Sequence, residues 1–149
     1  MASDTNTGAT VGISAALPTT FDAEVLTGYP SLTFTLIGEV VDVGELAKAY
    51  AIVAHQAVAR AYPVKHKDTY DIANVTLNIA RDSADAGQVI VQAGLAASTS
   101  YSFEITLPSG DTANFTGKII KAGIGSVASG GVTTTAIELA IDPETLFEA

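Results

Sequence analysis

Histidine and cysteine carry much of the nucleophilic and metal chemistry of proteins. This chain of 149 residues has two of the first, His55 and His66, and none of the second. Disulfides, thiolate metal sites and cysteine nucleophiles are excluded together. A histidine acting as general base needs a partner within hydrogen-bond reach, and none is patterned around either imidazole. Asp82 and Asp85 with Gly87 faintly resemble a calcium loop, but too few oxygen ligands follow and no glutamate closes it. Gly123-Ile124-Gly125-Ser126-Val127 has the glycines of a phosphate cradle without the Gly-Lys-Ser/Thr ending or the helix after it. It reads as a strand connection, and Ser83 reads as a helix cap. No catalytic residue, metal ligand or cofactor is expected, and the chain is not read as an enzyme.

Charge says more. Sixteen acids face seven bases, for a net charge of −9. Such a chain does not wrap a phosphate backbone, where affinity comes from cations that release counterions. The bases are unevenly placed. Lys48, Arg60, Lys65 and Lys67, with Tyr62 among them, fall in residues 46–67, which hold no acid. The remainder carries three bases and all sixteen acids. A basic projecting segment on an acidic body is complementary to a second copy, head to tail, the contact type that builds rings or filaments. A mean hydropathy of +0.35, with apolar residues at the apparently outward positions Val11, Ile37, Val41 and Ile72, points to an interface as well. The longest charge-free run, 86–103, holds two glutamines and several hydroxyls and is no membrane span. The first residues lack the basic and apolar regions of a secretory signal, so synthesis in a cytosol is expected.

The elements that must hold these residues follow from periodicity. Residues 1–10 read as an N-terminal arm, and Thr10 to Leu17 as a strand. Leu32 to Ile37 alternates with period two and continues towards Val43. Residues 45–68 have no clean period and read as a long inter-strand loop. Val75, Leu77 and Ile79 share a face with Ala73. A helix is expected over 83–95, capped by Asp82 or Ser83, with Ala86, Val89, Ile90 and Ala93 inward. A hairpin turns at Pro108-Ser109-Gly110-Asp111, between Tyr101–Leu107 and Thr112–Lys121. The last strand covers Thr133 to Asp142, and 143–149 is a C-terminal arm. The sum is one α+β, mainly β domain: about six strands in two packed antiparallel sheets, sandwich- or barrel-like, with one flanking helix.

Several segments resemble the major tail tube proteins of long-tailed, non-contractile (siphovirus-type) bacteriophages. They are Gly12 to Asp22, Ile37 to Glu45, Asn78 to Asp82 leading into the helix, Tyr101 to Asp111, and Phe115 to Ile119. Their order and spacing carry the likeness over nearly the whole chain. The resemblance implies a structural subunit: six copies form a ring, rings stack into a hollow tube, and one sheet of each copy lines the lumen. With four strands from each of six copies, spaced ~4.8 Å and tilted about 40°, the barrel is roughly 48 Å across between backbones. That admits a DNA duplex, which passes without specific binding through a lumen expected to be acidic during genome ejection. Lumen-facing candidates are Asn74, Thr76, Asn78, Thr134, Glu138 and Asp142, with Glu104 and Glu39 secondary. The long loop, with Lys48, Arg60, Tyr62, Lys65 and Lys67, is expected to reach between rings. Implied partners are further copies, the tape measure protein, and the tail tip and tail terminator proteins, in a virion tail assembled in the host cytoplasm, with no membrane.

Two other readings remain: a type VI secretion-like tube subunit, and a monomeric β-sandwich binding or capsid decoration module. Replacing both Lys65 and Lys67 by glutamate is expected to block stacking and leave the fold intact. Electron microscopy and circular dichroism on the double variant check this; tubes of normal length refute the assignment of the loop.

Overall fold

The computed structural model describes residues 8–18, 32–38, 40–127 and 129–148. In chain order the strands are β1 (Thr10–Ser14), β2 (Thr35–Ile37), β3 (Val40–Val43), β4 (Lys48–His55), β5 (Val64–Ile72) and β6 (Val75–Ala80). The helix α1 (Ala86–Ala96) follows, then β7 (Tyr101–Thr106), β8 (Thr112–Ser126), β9 (Thr134–Ile141), a short 3-10 turn (Pro143–Thr145) and β10 (Phe147–Glu148). The chain is thus mainly β, with two antiparallel sheets and one helix. The larger sheet runs β2-β1-β7-β8-β9-β6-β3, with β10 paired to β8, and β4 and β5 form a separate ribbon.

The larger sheet is two layers joined through β8. From Thr112 to Gly117 that strand pairs with β7, and Asn114 and Ala113 also pair with β10. From Gly117 to Ser126 it pairs with β9. One limb is therefore β2-β1-β7 with the first half of β8; the other is β3-β6-β9 with its second half. Alternation sends one face of each limb inward. Val11, Ile13, Phe103 and Phe115 of the first limb share a single core with Val75, Leu77, Ile79, Ile137 and Leu139 of the second. The Phe103 and Phe115 rings stack with centroids 5.3 Å apart. Three positions read from sequence as outward, Val11, Ile37 and Ile72, are core residues, because β1, β2 and the end of β5 are covered by their neighbours; Val41 is exposed as expected.

The helix closes one side of the sandwich, and its inward face differs from the expected one. Gly87, Gln88, Val91 and Gly94 are buried; of the four residues expected inward, Ile90 packs half-buried against the core, whereas Ala86, Val89 and Ala93 are exposed. Close approach explains this. A Cβ on Gly87 would strike the Leu36 carbonyl and lie 2.7 Å from Ile37 Cα; one on Gly94 would lie 2.6 Å from Ile119 Cδ1. The cap is Asp85, not Asp82 or Ser83: its Oδ2 accepts from Gln88 N at 3.0 Å and from Gly38 N at 3.1 Å. Gln88 adds three links, accepting from Asp82 N and donating to Ala80 O, both at 2.9 Å, and donating to Gly38 O at 3.3 Å. One buried amide thus joins the helix to the ends of β2 and β6.

Two further boundaries moved. The stretch 45–68 is largely a β-ribbon, since β4 and β5 pair along their length. β8 also runs on to Ser126, through the first part of the glycine-rich stretch that reads as a strand connection.

Gly87→Ala sets two effects against each other. Alanine favours a helix by about 1 kcal/mol, but forcing a methyl into packed backbone costs roughly 1–3 kcal/mol. Urea denaturation is expected to show net destabilisation, while the exposed change Val89→Ala stays within about 0.5 kcal/mol of the parent.

Candidate assembly surfaces

The limb β3-β6-β9-β8 presents a polar face opposite the core. Thr76 pairs with Glu138, Asn78 with Ala136, and Ala80 with Thr134, so Thr76, Asn78, Thr134 and Glu138 lie together. Asn74 joins them from the preceding turn, its Nδ2 donating to Glu138 Oε1 at 3.0 Å. The other expected residues lie elsewhere. Asp142 belongs to a clasp that holds the C-terminal turn on β8: its Oδ2 accepts from Thr116 Oγ1 and Ser100 Oγ, each at 3.3 Å. Thr145 completes the clasp, its Oγ1 accepting from Thr116 N at 3.0 Å. Glu104 sits on the first limb, between Gly12 and Asn114. Glu39 lies outside the described residues.

The same face carries two cations that sequence reasoning did not place there. Lys118 pairs with Ala140 and Lys121 with Glu138, across a register shift at Ile120. Residues three apart on a regular strand point to opposite faces; the bulge brings both lysines to one. Asp42, paired with Asn78, supplies a carboxylate. The face is thus mixed in charge: Lys121 lies opposite Glu138, Lys118 is on the same border strand, and Asp42 lies on β3 at the other border, with β6 and β9 between.

Both borders of this limb are open. Among the described residues no strand pairs with β3 on its side away from β6, or with Lys118–Ser126 on the side away from β9. Exposed apolar side chains gather there: Val41 on β3, Ile120 and Ile124 on β8, and Val127 just beyond it. Free backbone groups beside apolar side chains form a template for another strand. Because successive pairs are antiparallel, β8 runs opposite to β3, so β3 of a second copy can extend the sheet at β8 in the same antiparallel sense.

The β4–β5 ribbon is the second surface. Each strand spans roughly 25 Å at ~3.3 Å per residue, and nearly every side chain is exposed. Register and ring contacts put the expected residues on a common face. Lys48 Nζ lies 5.2 Å from the Tyr70 ring centroid, and Lys67 Nζ 4.9 Å from that of Tyr50. The two tyrosines are 5.5 Å apart and tilted by 55°. Ile52 pairs with Lys67 and Ala54 with Lys65, so Lys65 continues the same stripe. Arg60 and Tyr62 lie instead in the turn at the tip, where Arg60 N donates to Ala57 O at 3.1 Å. His55 and His66 fall on the opposite face from the lysines, and no group of three or more metal-ligating side chains occurs among the described residues.

No protein-family model and no curated protein matches the sequence. Solved structures do. A chain of the anti-feeding prophage baseplate superposes with a TM-score of 0.67 at 9% identity, covering 100% of this chain and 97% of that one. The SPP1 tail tube gives 0.67 at 10% identity, over 94% of this chain and 75% of that one. The sheath/tube terminator of the extracellular contractile injection system PVC gives 0.66 at 11%, over 100% and 98%. The shared property is the fold: this chain has the architecture found in phage tail tubes and contractile injection assemblies.

A two-stranded ribbon without a covered face is marginal on its own. In dilute monomer its amides are expected to exchange with solvent much faster than those of β6 and β9, and to slow on assembly. Hydrogen exchange followed by mass spectrometry on both states checks this.

Proposed function

We propose that the chain is a tail tube subunit: six copies form a ring, and rings stack into a hollow conduit. One observation carries the reading. A single four-stranded limb has a polar outer face, an apolar inner face and two borders of opposite strand direction that are unpaired among the described residues, lined by Val41, Ile120 and Ile124. Joining β8 of one copy to β3 of the next removes both borders and continues the antiparallel alternation around a closed barrel. Closure is the arrangement that leaves no edge to aggregate. The number six, and siphovirus-type membership, rest on the sequence resemblance.

The polar faces then line the lumen. Lys118 and Lys121 on β8 are matched in number by Glu138 on β9 and Asp42 on β3, so the charges of this face nearly cancel among threonine, asparagine, alanine and glycine. Such a surface lets a DNA duplex slide, because a counterion-releasing grip needs an excess of cations. The ribbon, with its lysine–tyrosine stripe, reaches the next ring. The remaining partners are those of a tail: a tape measure, a tip and a terminator, with assembly in the host cytoplasm.

A second reading, the tube of a contractile injection system, is favoured by coverage. The likeness spans 97% and 98% of the anti-feeding prophage and PVC chains but 75% of the SPP1 chain. Both readings share the tube and differ in what surrounds it.

Val41→Asp with Ile124→Asp places like charges where the borders would meet. Electron microscopy is expected to show tubes for the parent and none for the variant. Both changes are at exposed positions, so the unfolding midpoint should stay near the parent value. Closed rings from the variant overturn the edge-to-edge arrangement.

A further inference from the structure

A groove opens at one end of the sandwich, where β3 and the turn after it approach β1, β7 and the start of β8. Its volume is about 720 Å³, and Val11, Val40, Val43, Leu46, Ile105 and Ala113 form its apolar walls. Three carboxylates, Asp42, Asp111 and Glu148, also line it, and no cation among the described residues does. An apolar trough with an acidic rim suits a ligand that is apolar with one positive charge.

The tip of the β4–β5 ribbon has that chemistry. Residues 56–63 contain one cation, Arg60, and no acid. Val58 is fully exposed and Tyr62 about two-thirds exposed, so the tip offers two large apolar groups that nothing among the described residues covers. The tip cannot reach its own groove. The ribbon begins at Lys48, two residues after Leu46 in the groove wall, and its strands stay paired out to His55 and Val64. That extended pairing holds the tip roughly 25 Å away. A second copy can supply what the first cannot.

We propose that the groove receives the ribbon tip of another copy, with Val58 and Tyr62 in the apolar trough and Arg60 among Asp42, Asp111 and Glu148. The inference rests on the stacked-tube reading and names its receptor. It assigns the lysine–tyrosine stripe to the shaft of the contact and the Val58–Tyr62 turn to its specific end.

The absence of native cysteine makes the test direct. Single variants Val58→Cys and Ala113→Cys are mixed, assembled and treated with a mild oxidant, then resolved on a denaturing gel. A disulfide-linked dimer is expected only from the mixture and only under assembly conditions. Charge exchange is the second arm. Arg60→Glu alone and Asp111→Arg alone are each expected to raise the critical concentration for tubes about tenfold, and combining them is expected to restore it. Normal tubes without the cross-link, or single defects that the double variant does not relieve, overturn the groove assignment and leave stacking intact. A cross-link confined to one chain, from a doubly substituted variant, assigns the groove to the chain's own segment and overturns it too. Failure of the parent to assemble under any condition overturns both readings together.

Discussion

Every layer of the larger sheet depends on β8 serving both of its limbs. Its first half is the floor under β7 and the C-terminal clasp; its second half is the border strand of the limb with the polar face. The change of partner at Gly117 lets one continuous sheet turn back on itself, so that Phe115 and Ile119 face the same core from different layers. Packing accounts for most of the stability of such a structure, because a sheet covered on one face only must find a second apolar layer. Here the second layer is the sheet's own continuation. Among the described residues, the same switch leaves Lys118–Ser126 unpaired on one side, so the device that completes the core also creates the open border.

The helix fits this economy of contacts. It is short and has little charge to stabilise it alone. Asp85 and Gln88 bind it instead to the breaks in the sheet, at Gly38, Ala80 and Asp82. Its glycines give up helix propensity in exchange for near contact with β2 and with the Ile119 and Tyr101 side chains. Local preference yields to tertiary packing at these positions, and a hydropathy pattern cannot report it.

What sequence could and could not show follows the same line. Strands β6, β7 and β9 were legible because one face of each meets the core, which forces alternation onto the residues. The ribbon was not, since neither of its faces is buried in the chain's own fold and no selection for period two acts on it. It read as a loop, although its length and charge were correctly singled out. The helix face was misassigned because glycine at an intimate contact carries no apolar signal. Among the residues of the polar face, Asn74, Thr76, Asn78, Thr134 and Glu138 were found by alternation alone. Lys118 and Lys121 were missed because only the bulge at Ile120 brings them to that side. Alternation puts Asp142 with the lumen candidates; its bonds to Thr116 and Ser100 join positions distant in sequence and leave no trace in that pattern.

The ribbon projects from one copy and, among the described residues, has no counterpart elsewhere in the molecule. A column built by repeating such a contact is polar: one terminus displays bare lysine–tyrosine ribbons, the other displays bodies that have received none. The two termini therefore differ in charge, in shape and in exposed apolar area. Any protein that starts the column must satisfy one of these chemistries, and any protein that stops it must satisfy the other. In such a column the chemical difference between the two ends is carried by the subunit itself.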